Sequence, residues 1–175
     1  AGVRVPELRQ KLFGNGERAA ADALLGMLAA EGKLKYVGER IALADFTVHY
    51  TKRQRMLREQ LLERYHGMNL RTEPTARVLA SFSDAERTEA KQVMESLLSD
   101  GELISVGPGA CLHREAYERV LSVVRAHFAA HDALTLAQLR DALGTSRDNA
   151  LMILETLDRR GVTRREGDLR RPGRL

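Results

Sequence analysis

Three times in this chain a leucine-rich helical stretch runs into a glycine, passes through a short extended segment and meets a second glycine six residues after the first. The copies are Leu28-Ala-Ala-Glu-Gly32-Lys-Leu-Lys-Tyr-Val-Gly38, Leu97-Leu-Ser-Asp-Gly101-Glu-Leu-Ile-Ser-Val-Gly107 and Leu157-Asp-Arg-Arg-Gly161-Val-Thr-Arg-Arg-Glu-Gly167. The first glycine suits the left-handed residue that ends a helix, and the second suits the tip of a tight hairpin. Helix, glycine, strand, glycine turn and strand make the second half of a winged helix-turn-helix unit. The first glycines recur after 69 and then 60 residues. That period is too long for a stacked solenoid and fits a string of compact domains.

The expected fold is therefore mainly α with small β-hairpins, built as tandem winged helix-turn-helix domains in an elongated arrangement. Residues 1–48 read as a winged helix whose first helix is missing, because Val5 to Leu12, Glu17 to Glu31 and the hairpin Lys33 to Leu43 supply only its later parts. The chain reads as a fragment of something longer. Residues 49–113 form a second winged helix: helices Thr51 to Tyr65, Glu73 to Ala80 and one running to Asp100 from the capping-box pattern Ser83-Asp-Ala-Glu86. The hairpin Glu102 to His113 closes this unit. Residues 114–175 form the third, with an amphipathic helix from Arg114 to Ala130, a short strand Ala133-Leu-Thr135 and a helix Leu136 to Leu143. A helix capped by Ser146 and the hairpin Val162 to Arg171 complete it. No Ser/Gly/Pro-rich linker separates the units.

Charge is uneven along the chain. The net charge is only +4, but from Arg159 to Leu175 seven Arg stand against Glu166 and Asp168, so residues 1–158 sum to −1. All the surplus positive charge lies at one end, where it points to an anionic partner. Elsewhere the familiar chemistries fail. Gly26 and Gly32-Lys33-Leu34 have the wrong spacing and no hydroxyl for a phosphate-binding loop. His127 and His131 share a helical face without an accompanying Glu, and Cys111 has no neighbouring base. We expect no catalytic residue, no metal and no cofactor. The lone cysteine and the lack of any membrane-length apolar run suit a reducing, cytoplasmic setting with no membrane contact.

A winged helix meets nucleic acid with the amino end of its last helix and with its hairpin wing. In the third unit that helix begins Thr145-Ser146-Arg147-Asp148-Asn149. Ser146 and Asn149 can bond phosphate or base edges, Arg147 can hold a phosphate, and the free first-turn N–H groups attract anions. Arg164 and Arg165 lie in the first wing strand, Arg170 and Arg171 in the second, with Gly167 at the tip. Strand alternation lets one of each arginine pair face a ligand. Guanidinium groups hold phosphates bidentately and stack on unpaired bases. The first hairpin carries Lys33, Lys35, Glu39 and Arg40, whereas the second has no Lys or Arg between Glu102 and Leu112. Those two units read as spacers or protein contacts, so a fragment starting near Arg114 should bind almost as well as the whole chain.

Two segments of the third unit, Leu139-Arg-Asp-Ala-Leu-Gly-Thr-Ser-Arg147 and Leu154-Glu-Thr-Leu-Asp-Arg-Arg-Gly-Val-Thr-Arg-Arg-Glu-Gly-Asp168, resemble the C-terminal end of the bacterial selenocysteine-specific elongation factor, SelB. The starts of the first unit (Ala1-Gly-Val-Arg-Val-Pro-Glu-Leu-Arg) and of the second (Tyr50-Thr-Lys-Arg-Gln-Arg) are similar to the preceding winged helices of that family. The resemblance implies a GTP-binding, tRNA-carrying factor followed by four winged helices, the last of which grips the mRNA hairpin that recodes a UGA stop. It makes an mRNA hairpin of the SECIS type the partner, with the ribosome reached through the full-length protein. The chain itself would be a monomer and a non-enzyme. One departure stands out: the family continues after Ser-Arg with Lys and a bulky residue, whereas Asp148 and Asn149 follow here, and an acid there opposes phosphate. The alternative from the residues alone is a regulator laying its third helix in the major groove of double-stranded DNA, but Leu151 to Leu157 offers no basic residue. A winged-helix scaffold that binds only proteins would suit the weakly charged middle hairpin.

Overall fold

The computed structural model describes residues 2–14, 18–37, 40–45 and 50–174. The first unit comprises β1 (Val3–Arg4), α1 (Val5–Phe13), α2 (Arg18–Ala30), β2 (Leu34–Val37) and β3 (Arg40–Leu43). The second comprises α3 (Lys52–Met68), α4 (Thr75–Ala80), α5 (Asp84–Ser99), β4 (Leu103–Ser105) and β5 (Cys111–His113). The third comprises α6 (Arg114–Phe128), β6 (Leu134–Thr135), α7 (Leu136–Leu143), α8 (Arg147–Arg159), β7 (Thr163–Glu166) and β8 (Leu169–Pro172). These are tandem winged helices, mainly helical with small antiparallel sheets.

The first glycine of each pair does what its spacing predicts, and so does the second glycine of the last pair. Gly32, Gly101 and Gly161 end their helices at φ +69°, +71° and +70°, a left-handed conformation costly for any residue with a Cβ. Gly167, at φ +61°, takes the first of the two turn positions between Glu166 and Leu169, where a tight hairpin favours glycine. Gly38, together with Asn15 and Gly16 of the turn expected between α1 and α2, lies outside the described residues.

The sheets of the first and third units have matching order, β1-β3-β2 and β6-β8-β7, each with an edge strand of two residues. Sequence reading anticipates β6 but not β1, since two residues carry no periodicity. In the second unit the third strand is reduced to a single bridge between Pro74 and Ala110, because proline has no N–H with which to extend a ladder. One helix start also differs from expectation. The Ser83 hydroxyl donates to the Glu86 carboxylate (2.5 Å) and caps no backbone N–H, so the capping box is half formed.

Burial divides the molecule unevenly. Leu57, Leu61 and Tyr65 of α3 pack with Val93, Met94 and Leu97 of α5 in one core. In α8, Ile153, Leu154 and Leu157 recur on one helical face and enter a second core with Val120 and Val124 of α6 and Leu139 of α7. That second core also contains Leu70, Val106, Ala110 and Leu112 from the middle unit. The second and third winged helices therefore share a hydrophobic core, and β5 passes into α6 with no residue between them. The first unit is thinner: Ala21, Leu25 and Ile41 are buried, while Leu12, Met27 and Leu43 are each about 60% exposed.

Candidate nucleic-acid interface

The site is built at the amino end of α8 and the adjoining wing. Gly144, at φ +60° and ψ +38°, ends α7 in a left-handed turn and turns the chain toward α8. Ser146 then caps α8 by accepting the Asn149 N–H (3.2 Å), which leaves its hydroxyl proton to donate outward. A groove of about 430 Å³ opens between this helix start, α7 and the wing. Its apolar lining comes from Leu136, Ala137 and Leu151, and its cationic lining from Arg140, Arg147, Arg165 and Arg170. Thr135 and Asp168 complete it. Apolar surface ringed by planar cations can receive a base and hold its phosphate.

Strand register sorts the wing arginines. Arg164 pairs with Arg171 and Arg165 with Arg170, so each cross-strand pair shares a face of the hairpin. Arg164 is exposed and makes no ion pair among the described residues. Arg165 is exposed, lines the groove and donates through Nε to the Gly167 carbonyl (3.1 Å), which ties the tip to the strand. Arg171 donates to the Glu166 carboxylate (2.7 Å) and to the Asp132 carbonyl (3.3 Å). The Arg171 guanidinium holds the Glu166 carboxyl below the ordinary carboxylate range, first through that hydrogen bond and then through its charge. Glu166 thus offsets part of the wing's charge at neutral pH.

Two residues expected to contact a nucleic acid are engaged elsewhere. Arg170 is only 4% exposed and meets Asp158 at 3.0 Å through both Nε and a terminal nitrogen. Asp158 accepts a further bond from the Thr163 hydroxyl (2.6 Å). A buried charge has to be paired, and Asp158 on α8 pairs this one, so Arg170 joins wing to helix. Asn149 is half-buried and its Oδ1 accepts from the Thr72 hydroxyl (2.7 Å) of the middle unit. Residues 147 and 151 face the groove, while 149 lies on the other side of α8, about 200° round the helix. Ser146, Arg147, Arg164, Arg165, Gly167 and Arg171 remain at the accessible end. Asp148 is exposed beside Arg147 at the helix start, where its charge suits the helix dipole but opposes phosphate.

Arg140 was not anticipated. It lies one helical turn after Leu136 on the groove side of α7, and that i, i+4 spacing was the available signal. His127 donates to the Ala133 carbonyl (2.8 Å) beside the His131 ring, and no metal-binding cluster occurs among the described residues. Cys111 is buried in β5, which pushes its thiol up to about 11. No described helix is long and apolar enough to cross a membrane.

Residues 126–171, which include α7, α8 and the whole wing, match the family model "Elongation factor SelB, winged helix". The last unit is thus similar to the SelB winged helix. Among solved structures, the chain is similar to the mRNA-binding domain of elongation factor SelB from E. coli, a structure in complex with SECIS RNA. The two are 18% identical with a TM-score of 0.57, over 71% of this chain and 99% of that one. It is also similar to a bacterial selenocysteine-specific elongation factor, EF-Sec, at 18% identity and a TM-score of 0.56. That likeness covers 99% of this chain and 26% of the longer protein. No curated protein sequence matches the chain. At such identity the structural likeness establishes the fold, whereas the SelB match is confined to the unit that carries the groove.

Proposed function

We propose that this chain is the RNA-binding end of a selenocysteine-specific translation elongation factor, recognising an mRNA stem-loop of the SECIS type through its last winged helix. We take residues 1–48, 49–113 and 114–175 as its winged-helix units. The observation that carries the reading is the groove. It lies in the SelB-type unit, between the start of α8 and the wing, with Arg140, Arg147 and Arg165 around an apolar lining. A duplex of A form hides its base edges in a deep, narrow groove, so a site of this size suits one backbone turn and one or two unpaired bases. The relative in complex with SECIS RNA supports an RNA hairpin over a DNA duplex. GTP hydrolysis, tRNA carriage and ribosome contact would belong to the parent factor in the cytoplasm, with this part acting as a monomer.

The test starts from a pool of RNA stem-loops with randomised loop and bulge positions, selected on the full chain. The best binder is compared with the same RNA rendered continuously paired and with a DNA duplex of equal length. The reading predicts that pairing the loop or bulge bases costs at least tenfold in affinity, about 1.4 kcal/mol. Equal affinity for all three at physiological salt would mean that the module reads charge alone.

A further inference from the structure

The middle unit carries two exposed arginines, one on the segment docked against α8 and one on the helix that follows it. Its segment between α3 and α4 is fixed against the start of α8: Leu70 enters the core shared with the third unit, and the Thr72 hydroxyl bonds Asn149. The β4–β5 turn closes the same junction. A Cβ on Gly107 would stand 2.7 Å from Met152 Cγ, so the turn lies directly against α8. Arg71, adjacent to the anchored Thr72, is exposed and has no ion pair among the described residues. Arg77 follows on α4 with its side chain 79% exposed and reaches Glu73 only at 4.0 Å, while Arg64 holds that carboxylate at 2.8 Å. Across α8 stands Arg147, equally without an ion pair among the described residues. An α-helix with its side chains is about 10 Å wide, a span of two or so phosphates along an RNA strand.

We propose that the RNA interface extends past α8 onto the middle winged helix, where Arg71 and Arg77 hold the phosphate backbone of the stem below the loop. This rests on the RNA-binding reading above and adds a second contact point to it. The shared core makes the two points a single fixed template, so the middle unit sets the direction in which the stem leaves the site. Asn149 then serves recognition by docking the segment that carries Arg71.

The experiment measures binding of the full chain to the selected stem-loop in two forms, one with its stem cut to the few pairs nearest the loop and one with the long stem. Arg71→Ala with Arg77→Ala should weaken the long-stem RNA about tenfold and lower its salt slope by roughly two, leaving the short-stem RNA unaffected. Arg71→Lys with Arg77→Lys should retain most of the affinity, since a phosphate contact needs charge. Both sites are exposed, so thermal melting should match the parent. Parental affinity of the alanine variant for the long stem overturns the proposal, as does equal weakening for both RNAs. Arg164→Ala with Arg165→Ala separates the two readings. If that variant weakens both RNAs while the Arg71 and Arg77 variant weakens neither, only the extension fails. If neither variant weakens either RNA, the RNA-binding reading fails with it.

Discussion

The second and third wings grow from the same glycine spacing and are put to opposite uses. In the second, Leu103, Val106, Ala110, Cys111 and Leu112 are buried, and Val106, Ala110 and Leu112 pack into the core of the next unit. In the third, Arg164, Arg165, Glu166, Gly167 and Asp168 are all exposed, and only Thr163 and Arg170 are buried in the strands. Both carry a glycine at positive φ, but Gly107 sits in a five-residue loop between Ser105 and Cys111 and Gly167 in a two-residue turn between Glu166 and Leu169. Side chains set the use of each. A wing of apolar residues makes a joint, and a wing of arginines makes a grip. The apolar wing gives up a proper third strand, since Pro74 makes only one bridge, while the arginine wing is braced by β6.

The largest effect should come from cutting the joint. A fragment of residues 114–175 loses Leu70, Val106, Ala110 and Leu112 from its core, about 5 kcal/mol or more of apolar burial. A domain of that size has little more stability than this in total. Circular dichroism should therefore show a cooperative melt for residues 50–175 and a weak or absent one for 114–175. Melting of the short fragment within a few degrees of the longer one would make the second wing a mere neighbour. This replaces the expectation that a fragment from Arg114 binds nearly as well as the whole chain.

A smaller effect separates the arginines within the third wing. Arg170→Ala leaves the half-buried Asp158 side chain with only the Thr163 hydroxyl as partner, which should cost about 3 kcal/mol. At a temperature where the variant stays folded, its RNA affinity should be close to the parent's. Arg164→Ala should do the reverse, with unchanged melting and weaker binding. Identical behaviour of the two variants would erase the distinction between brace and grip.

The three-fold recurrence of helix and hairpin was legible in the sequence because glycine at positive φ is a local requirement that single residues reveal. The basic character of the last wing was equally plain. The division of labour inside it was not. Alternation assigns Arg164 and Arg165 to opposite faces, but Asp158 on α8 decides that Arg170 faces inward, a contact 12 residues away in sequence. The surroundings of Asn149 were hidden for the same reason. Its type and place suit a base contact, and only the packing of the middle unit brings Thr72 against it, 77 residues distant. The shared core was hidden as well, since an apolar hairpin reads alike whether it packs on its own helices or its neighbour's.

The central claim is that the third wing and the start of α8 carry the charge contacts while the second wing carries none. The direct measurement is the slope of log affinity against log salt for the selected RNA stem-loop, in the full chain and in an Arg147→Ala, Arg164→Ala, Arg165→Ala variant. Each lost phosphate contact lowers the slope by roughly 0.7 to 0.9, so a drop of about two to three is predicted. A slope equal to the parent's would contradict the account.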